Sequence, residues 1–422
     1  MANNLESNFT RKLADKLLPA FESSRVLSKN VDTQLVKNAF NPDSGTQVDV
    51  KRPTDYKTVE TADGDITGTK RDIITGKATA TVQNYITIPV DYDEAEEALE
   101  MGSDSNRFWD DIGNRMVVKL EQNFAAFAVK NTALLQGTHG QGVDAWSEVA
   151  KAGALMQSSG VPMNKKWCYF LNPYSQAALA DQQRSIGVNP EAGSANELAT
   201  VNRNFAGFDV KTATTLPTYT LPTTGDLVGS LSATPTATYV AAKDTMTQSL
   251  AVTGFGTFTG TIPAGTQIQV TGRNRLNLST REPIIDASGA NVVYTATVTA
   301  DASLTTGAGT LIVTGPGIYE ASGAYNTVDS ALTSGDVVTI LGADSTTYQP
   351  NLFWHPDAFT IASVPIKKLH STDTLFTTRD GLQMRVSKYS DGDANKQTVR
   401  FDLRPAFGCM NPFFAGQGFG LA

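Results

Sequence analysis

The sequence predicts an α+β host domain interrupted by an inserted all-β unit, a small barrel or sandwich, within a chain of 422 residues. Three patterns carry that reading. A long apolar stripe occupies Phe108, Ile112, Met116, Leu120, Phe124 and Phe127, at spacings of four or three residues. A strand–Asn-Pro–helix unit follows in "KKWCYFLNPYSQAALADQ". From about residue 216 to 349 the composition turns Thr- and Gly-rich and poor in charge, and afterwards the earlier character returns.

In chain order, Phe9, Leu13, Leu17 and Phe21 mark a short amphipathic helix, which Pro19 is expected to strain or end. "GTQVDVKRP" and "GKATATVQNYITIPVDY" read as strands. Between them, "TDYKTVETADGDITGTKRDIIT" is a polar connection of about 20 residues, a length that usually has a role. It reads as a projecting arm or hairpin. The apolar stripe predicts a helix over 103–136, with Ser103 or Ser105 as N-cap and a length of roughly 45 Å. "DAWSEVAKAGALMQ" predicts a helix with Trp146, Val149, Gly153 and Met156 on one face. Asn172 then caps a helix whose first residue is Pro173.

Inside the insert, "ATYVAA", "QSLAVTG", "TQIQVTG", "VVYTATVTA", "GTLIVTG" and "DVVTILG" alternate with the period of half-buried strands. "IPAGTQIQVTG" and "LTSGDVVTILG" share a pattern and read as two strands of one barrel entered by similar turns. The insert limits fall near "TLPTYTLP" and "TTYQPN".

Chemistry finds little footing. "KYSDGDANKQ" spaces Asp391, Asp393 and Asn395 like calcium ligands, but the sixth and twelfth positions hold Lys396 and Asp402 instead of Gly and Glu. The flanks alternate as strands, so the stretch is the turn of a hairpin. His139 lies in a glycine-rich loop and His355 at a strand end; neither they nor His370 join a catalytic motif. "ITGKAT" lacks the remaining P-loop residues. Cys168 and Cys409 have no CxxC partner and read as buried apolar groups. A net charge of −8 argues against a dedicated nucleic-acid binder. No segment is apolar over the length a membrane span needs, and the first residues lack a signal-peptide core, which points to the cytosol. No enzyme, metal or cofactor is expected.

The segments "YFLNPYSQAALAD" (169–181), "FAGFDVKTATTLPTYT" (205–220), "PNLFWHPDAFTIASVPI" (350–366) and "YSDGDANKQTVRFDLRPAFGCMNP" (389–412) carry a resemblance. In this order and spacing the chain resembles the major coat proteins of short-tailed phages of the Salmonella and Shigella type, an HK97-like fold with an inserted barrel. The resemblance implies an N-terminal arm over 1–45, an extended loop with its strands over 46–90, and a peripheral domain over 91–142 containing the spine helix 103–136. The axial domain takes 143–215, the insert 216–349, and 350–422 the rest of the axial domain and the last peripheral strands.

It further implies self-assembly into an icosahedral shell of pentamers and hexamers enclosing double-stranded DNA without specific binding. Assembly directed by a scaffolding protein, a portal partner and a maturation expansion belong to the same implication. Shell subunits need overlapping arms, and the loop offers Lys51, Arg52, Lys57, Glu60, Asp63, Asp65, Lys70, Arg71, Asp72 and Lys77 as contacts to a neighbour. Arg273, Arg275 and Arg281, the densest basic stretch of the insert, are expected either in a protruding contact loop or in an ordinary surface turn. Glu6, Asp15 and Glu22 face a basic scaffolding helix or simply solvent. The rival reading is a β-rich adhesin, fibre or decoration protein.

Overall fold

The computed structural model describes residues 5–33, 45–52, 56, 58–68, 72–93, 105–184, 201, 204–321, 323–370, 373–391 and 396–421. The chain forms two compact units. The first gathers Met1–Asp49, Ala80–Ala125 and Phe359–Gly408; the second gathers Val50–Thr79, Ala126–Ala358 and Cys409–Ala422.

In the first unit, helix α1 (Leu5–Ser24) buries Leu13, Leu17 and Phe21 on one side, as its spacing requires. It continues past Pro19 to Ser24, so the proline does not end it. Proline removes only one N–H from the ladder, and the apolar stripe continues past it on both sides. Helix α2 (Ser105–Lys130) buries Ile112, Met116, Leu120 and Phe124. Gly113 faces α1, where a Cβ would stand 3.4 Å from the Leu17 carbonyl oxygen, an ordinary contact distance. The helix stops earlier than the expected residue 136, because Leu134–Gln136 is a strand. Phe124 meets the rings of Phe359 and Phe407 edge-on at 6.0 and 5.4 Å.

A four-stranded sheet runs Thr374–Thr377, Gln383–Asp391, Lys396–Leu403, Ile86–Asp93, antiparallel throughout. The expected hairpin is its centre, in register from Met384↔Leu403 to Asp391↔Lys396. Its turn, with Asp393 and Asn395, lies outside the described residues. Met384, Val386, Val399, Phe401 and Leu403 are buried, as their alternation demands.

The second unit holds a six-stranded mixed sheet ordered Leu134–Gln136, Ala415–Gly418, Asn351–Trp354, Trp167–Leu171, Phe208–Thr212, Asn204–Phe205. Trp167–Leu171 and Phe208–Thr212 run parallel. Asn172 caps helix α4 (Pro173–Arg184), its Oδ1 accepting from Ser175 N–H at 2.7 Å. Helix α3 (Trp146–Ser158) turns Val149, Ala152, Leu155 and Met156 inward, whereas Trp146, expected on that face, stands exposed.

The barrel belongs to the same unit. Its eight-stranded sheet runs Thr247–Thr253, Val228–Leu231, Val337–Ile340, Gln267–Asn274, Val293–Val298, Ala308–Thr314, Ala302–Thr305, Gly260–Ile262. It closes because Thr247–Thr253 also pairs with Ala308–Thr314, Leu250 opposite Leu311. That pairing closes a ring of six strands, from which Ala302–Thr305 and then Gly260–Ile262 continue, so that a short edge is left at Gly260–Ile262. The two look-alike segments are neighbours, with Ile268↔Ile340 and Val270↔Val338 in register. Leu250, Ile268, Val270, Tyr294, Leu311, Val313 and Val338 fill the interior with no exposed surface. "ATYVAA", expected as a strand, is a helical turn at Tyr239–Ala242. The chain enters and leaves the barrel through a ladder of Thr220↔Thr347 and Tyr219↔Tyr348.

Candidate functional site

The extended loop separates its charges into two kinds. Lys51 is exposed at a strand end, but Arg52 is buried. Its guanidinium donates to the carbonyl oxygens of Lys77 at 3.0 Å and of Met410, and burial lowers its pKa. Arg52 was expected to reach a neighbour; instead it closes the root of its own loop. Glu60, Asp63, Asp65 and Asp72 are exposed. Asp65 caps a local turn, accepting from the Thr67 N–H at 2.8 Å and hydroxyl at 2.6 Å, and these bonds hold its pKa down. Lys77 is exposed at the start of its strand, while its N–H donates to Asp244. Lys57, Lys70 and Arg71 lie outside the described residues.

In the insert's basic stretch, expected as a protruding contact loop or an ordinary surface turn, all three arginines have partners in their own chain. Arg273 forms a two-pronged pair with Asp336, Nε to Oδ2 at 2.8 Å and Nη2 to Oδ1 at 2.7 Å, and also donates to Ser330. Arg275 is fully enclosed. Its Nη2 donates to the Ala133 carbonyl at 2.8 Å and the Thr295 carbonyl at 2.6 Å, and its guanidinium lies 5.9 Å from the rings of Tyr294 and Phe413. Burial pulls its pKa down to about 10, which leaves it charged at neutral pH. Arg281, at φ 61°, donates to the Asn326 carbonyl. The stretch after Arg275 docks on the end of α3 in the same unit. Leu278 N–H donates to the Ser159 carbonyl at 3.1 Å, and Asn277 Nδ2 to the Ser158 carbonyl at 2.8 Å. Two arginines of a charged run in sequence are thus internal braces, on the Asp336 carboxylate and on the Ala133 and Thr295 carbonyls, since enclosed acceptors need donors.

At the N-terminus, Asp15 is exposed. Glu22 is half-buried and accepts from Arg379 N–H at 2.8 Å. The side chain of Glu6 lies outside the described set. No motif or spacing marks Glu121 as a site residue. Buried on α2, it accepts from the Leu27 N–H at 2.6 Å, the Ser28 N–H at 3.0 Å and the Ser28 hydroxyl. Arg25, also buried, bonds Ser28 and pairs with Asp380 at 2.9 Å, its pKa lowered by burial. Together these fix the chain as it leaves α1.

Groups suited to chemistry serve packing instead. His355 is completely buried: its Nδ1 accepts from Asp357 N–H at 3.1 Å, so its Nε2 donates to Asn164 Oδ1 at 2.9 Å. His139 lies against Phe419 with ring centroids 4.3 Å apart and planes tilted by 33°, and meets Tyr348 edge-on at 5.4 Å; burial lowers its pKa to about 4. Burial raises Cys409 to about 12 and Cys168 to about 11, far from a reactive thiolate. Among the described residues no group of three His, Cys, Asp or Glu gathers as for a metal. No described helix is long and apolar enough to cross a membrane.

What is left is a braced barrel on a packed core, with an exposed acidic loop. The family described as P22 coat protein, gene protein 5, matches residues 1–420. The chain belongs to the P22 coat protein family. It is 35% identical to the major capsid protein of Acyrthosiphon pisum secondary endosymbiont phage 1, over all of both chains. The capsid of Ralstonia phage GP4 overlays 95% of this coat protein and 91% of its own chain, at 9% identity and a TM-score of 0.45. The capsid of cyanophage P-SCSP1u covers 89% and 84%, at 10% identity and a TM-score of 0.45. The chain is therefore a phage major capsid protein, and its architecture is α+β.

Proposed function

We propose that this coat protein assembles as pentamers and hexamers into an icosahedral shell around the double-stranded DNA of a tailed phage. Assembly takes place in the bacterial cytoplasm on a scaffolding protein, around a portal, and is followed by expansion. The observation that carries the reading is the family match over residues 1–420, which leaves no part of the fold outside the coat family. The net charge of −8 suits a container that must pack and release DNA without holding its phosphates.

The loop acids Glu60, Asp63, Asp65 and Asp72, with Lys51, are the neighbour contacts this reading favours, since they are exposed on a segment of the second unit. Lys57, Lys70 and Arg71 complete the set by sequence. Asp15 is the foremost acid for a basic scaffolding helix, with Glu6 and Glu22 beside it in sequence.

Sedimentation and negative-stain microscopy of the chain, expressed alone and with its neighbouring genes, test the reading. Closed shells of uniform size on coexpression, and irregular particles from the chain alone, are expected. Fibres or monodisperse monomers in both cases would return the β-rich adhesin or fibre.

A further inference from the structure

The extended loop and the barrel meet at the loop's root, within the second unit. There the two legs of the loop join: Arg52 N–H donates to the Gly76 carbonyl at 2.9 Å, and its guanidinium to Lys77. The barrel grips this joint from one side. Tyr239 and Tyr325 stack with ring centroids 3.7 Å apart and planes 2° from parallel. The Tyr325 hydroxyl donates to the Ile74 carbonyl at 3.2 Å, and Ile74 packs on the cluster of Tyr239, Ala242 and Ile318. Lys77 N–H reaches Asp244 Oδ1 at 3.3 Å. Gly76 lies so close to the turn that a Cβ would stand 2.3 Å from the Lys243 carbonyl oxygen.

These contacts are not needed to close the barrel. Tyr239 sits on a helical turn between Val228–Leu231 and Thr247–Thr253, and Tyr325 on the connection between Ala308–Thr314 and Val337–Ile340, both outside the strand ladders. A loop of some 20 residues anchored only at its strands would lose much conformational freedom on docking; one held at its root has surrendered part of that freedom already.

We propose that the barrel is a clasp that sets the direction of the extended loop, so that the loop is presented to a second copy only when the barrel is folded. This rests on the reading that the loop docks on a second copy. The test uses the full chain with Ile74→Ala, Tyr325→Ala and Tyr325→Phe. Ile74→Ala changes only the loop side, and Tyr325→Phe keeps the ring stack.

Hydrogen exchange at the amides of Arg52 and Lys77 reads the grip, and light scattering during assembly reads its consequence. In Ile74→Ala and Tyr325→Ala those amides exchange about tenfold faster, with Gln267–Asn274 still protected, and assembly slows by about the same factor. Tyr325→Phe gives a smaller change in the same direction. Unchanged exchange in both alanine variants would overturn the clasp. Faster exchange with assembly at the wild-type rate would overturn its role in presentation. A wild-type chain that never assembles would sink the docking reading instead, while the exchange data would still decide whether the barrel holds the loop.

Discussion

The two charged regions singled out by sequence behave in opposite ways. In the insert, Arg273 and Arg275 turn inward, onto Asp336 and onto the Ala133 and Thr295 carbonyls. In the extended loop, Glu60, Asp63 and Asp65 turn outward, and of its described cations Arg52 alone is buried. The difference lies in surroundings. In the charge-poor barrel Arg275 reaches the carbonyls of Ala133 and of the strand residue Thr295, and a guanidinium with five donors can satisfy several acceptors at once. A loop without a core of its own has nothing to satisfy. Clustered charge therefore marks internal bracing in the first region and surface in the second.

The largest effect is expected at Arg275. Arg275→Met leaves two buried carbonyls without donors and should cost about 3 kcal/mol, seen as a lower urea midpoint with an unchanged slope. A neutral result would mean that the brace is incidental.

Acid tests the packing where the chain enters and leaves the barrel. His139 titrates near 4 in the folded chain against an ordinary 6.5, with the rings of Tyr348 and Phe419 against it. The unfolded chain binds that proton first, so this contribution is complete above about pH 6.5 and is lost as pH falls toward 4. The loss should reach about 3 kcal/mol at most, and His139→Phe should flatten it in melts across that window.

Glu121→Gln keeps shape but weakens the charge-assisted bonds to Leu27 and Ser28; a loss of about 1–2 kcal/mol is expected in denaturant melts. Joint replacement of Glu60, Asp63 and Asp65 by their amides should leave the melting temperature unmoved and alter only assembly, read by light scattering. The smallest effect belongs to the exposed Lys165–Asp357 pair, 2.6 Å apart, where Lys165→Ala should cost under about 1 kcal/mol.

Periodicity made much of this fold legible. The stripes of α1 and α2, the Asn172 cap, the hairpin flanks and most barrel strands follow from spacing alone, because burial on one face imposes it. What spacing missed was set by tertiary contact. Val228–Leu231 escaped notice because Gly229 interrupts the alternation, and a Cβ there would stand 2.6 Å from the Thr253 carbonyl oxygen. Tyr239–Ala242 reads as a strand until its ring finds Tyr325. Among the candidate contacts, the outward acids were visible as polar loop residues. The inward turn of Arg52 and Arg275 was not, since their acceptors at Met410 and Ala133 lie 358 and 142 residues away in sequence.

A cryo-electron microscopy reconstruction of the assembled shell, at a resolution that separates side chains, tests the central contrast directly. Glu60, Asp63 and Asp65 are expected against a neighbouring copy, with Arg273 and Arg275 still on partners in their own chain. Arginines 273 and 275 paired with another copy, and the loop acids facing open solvent, would contradict it.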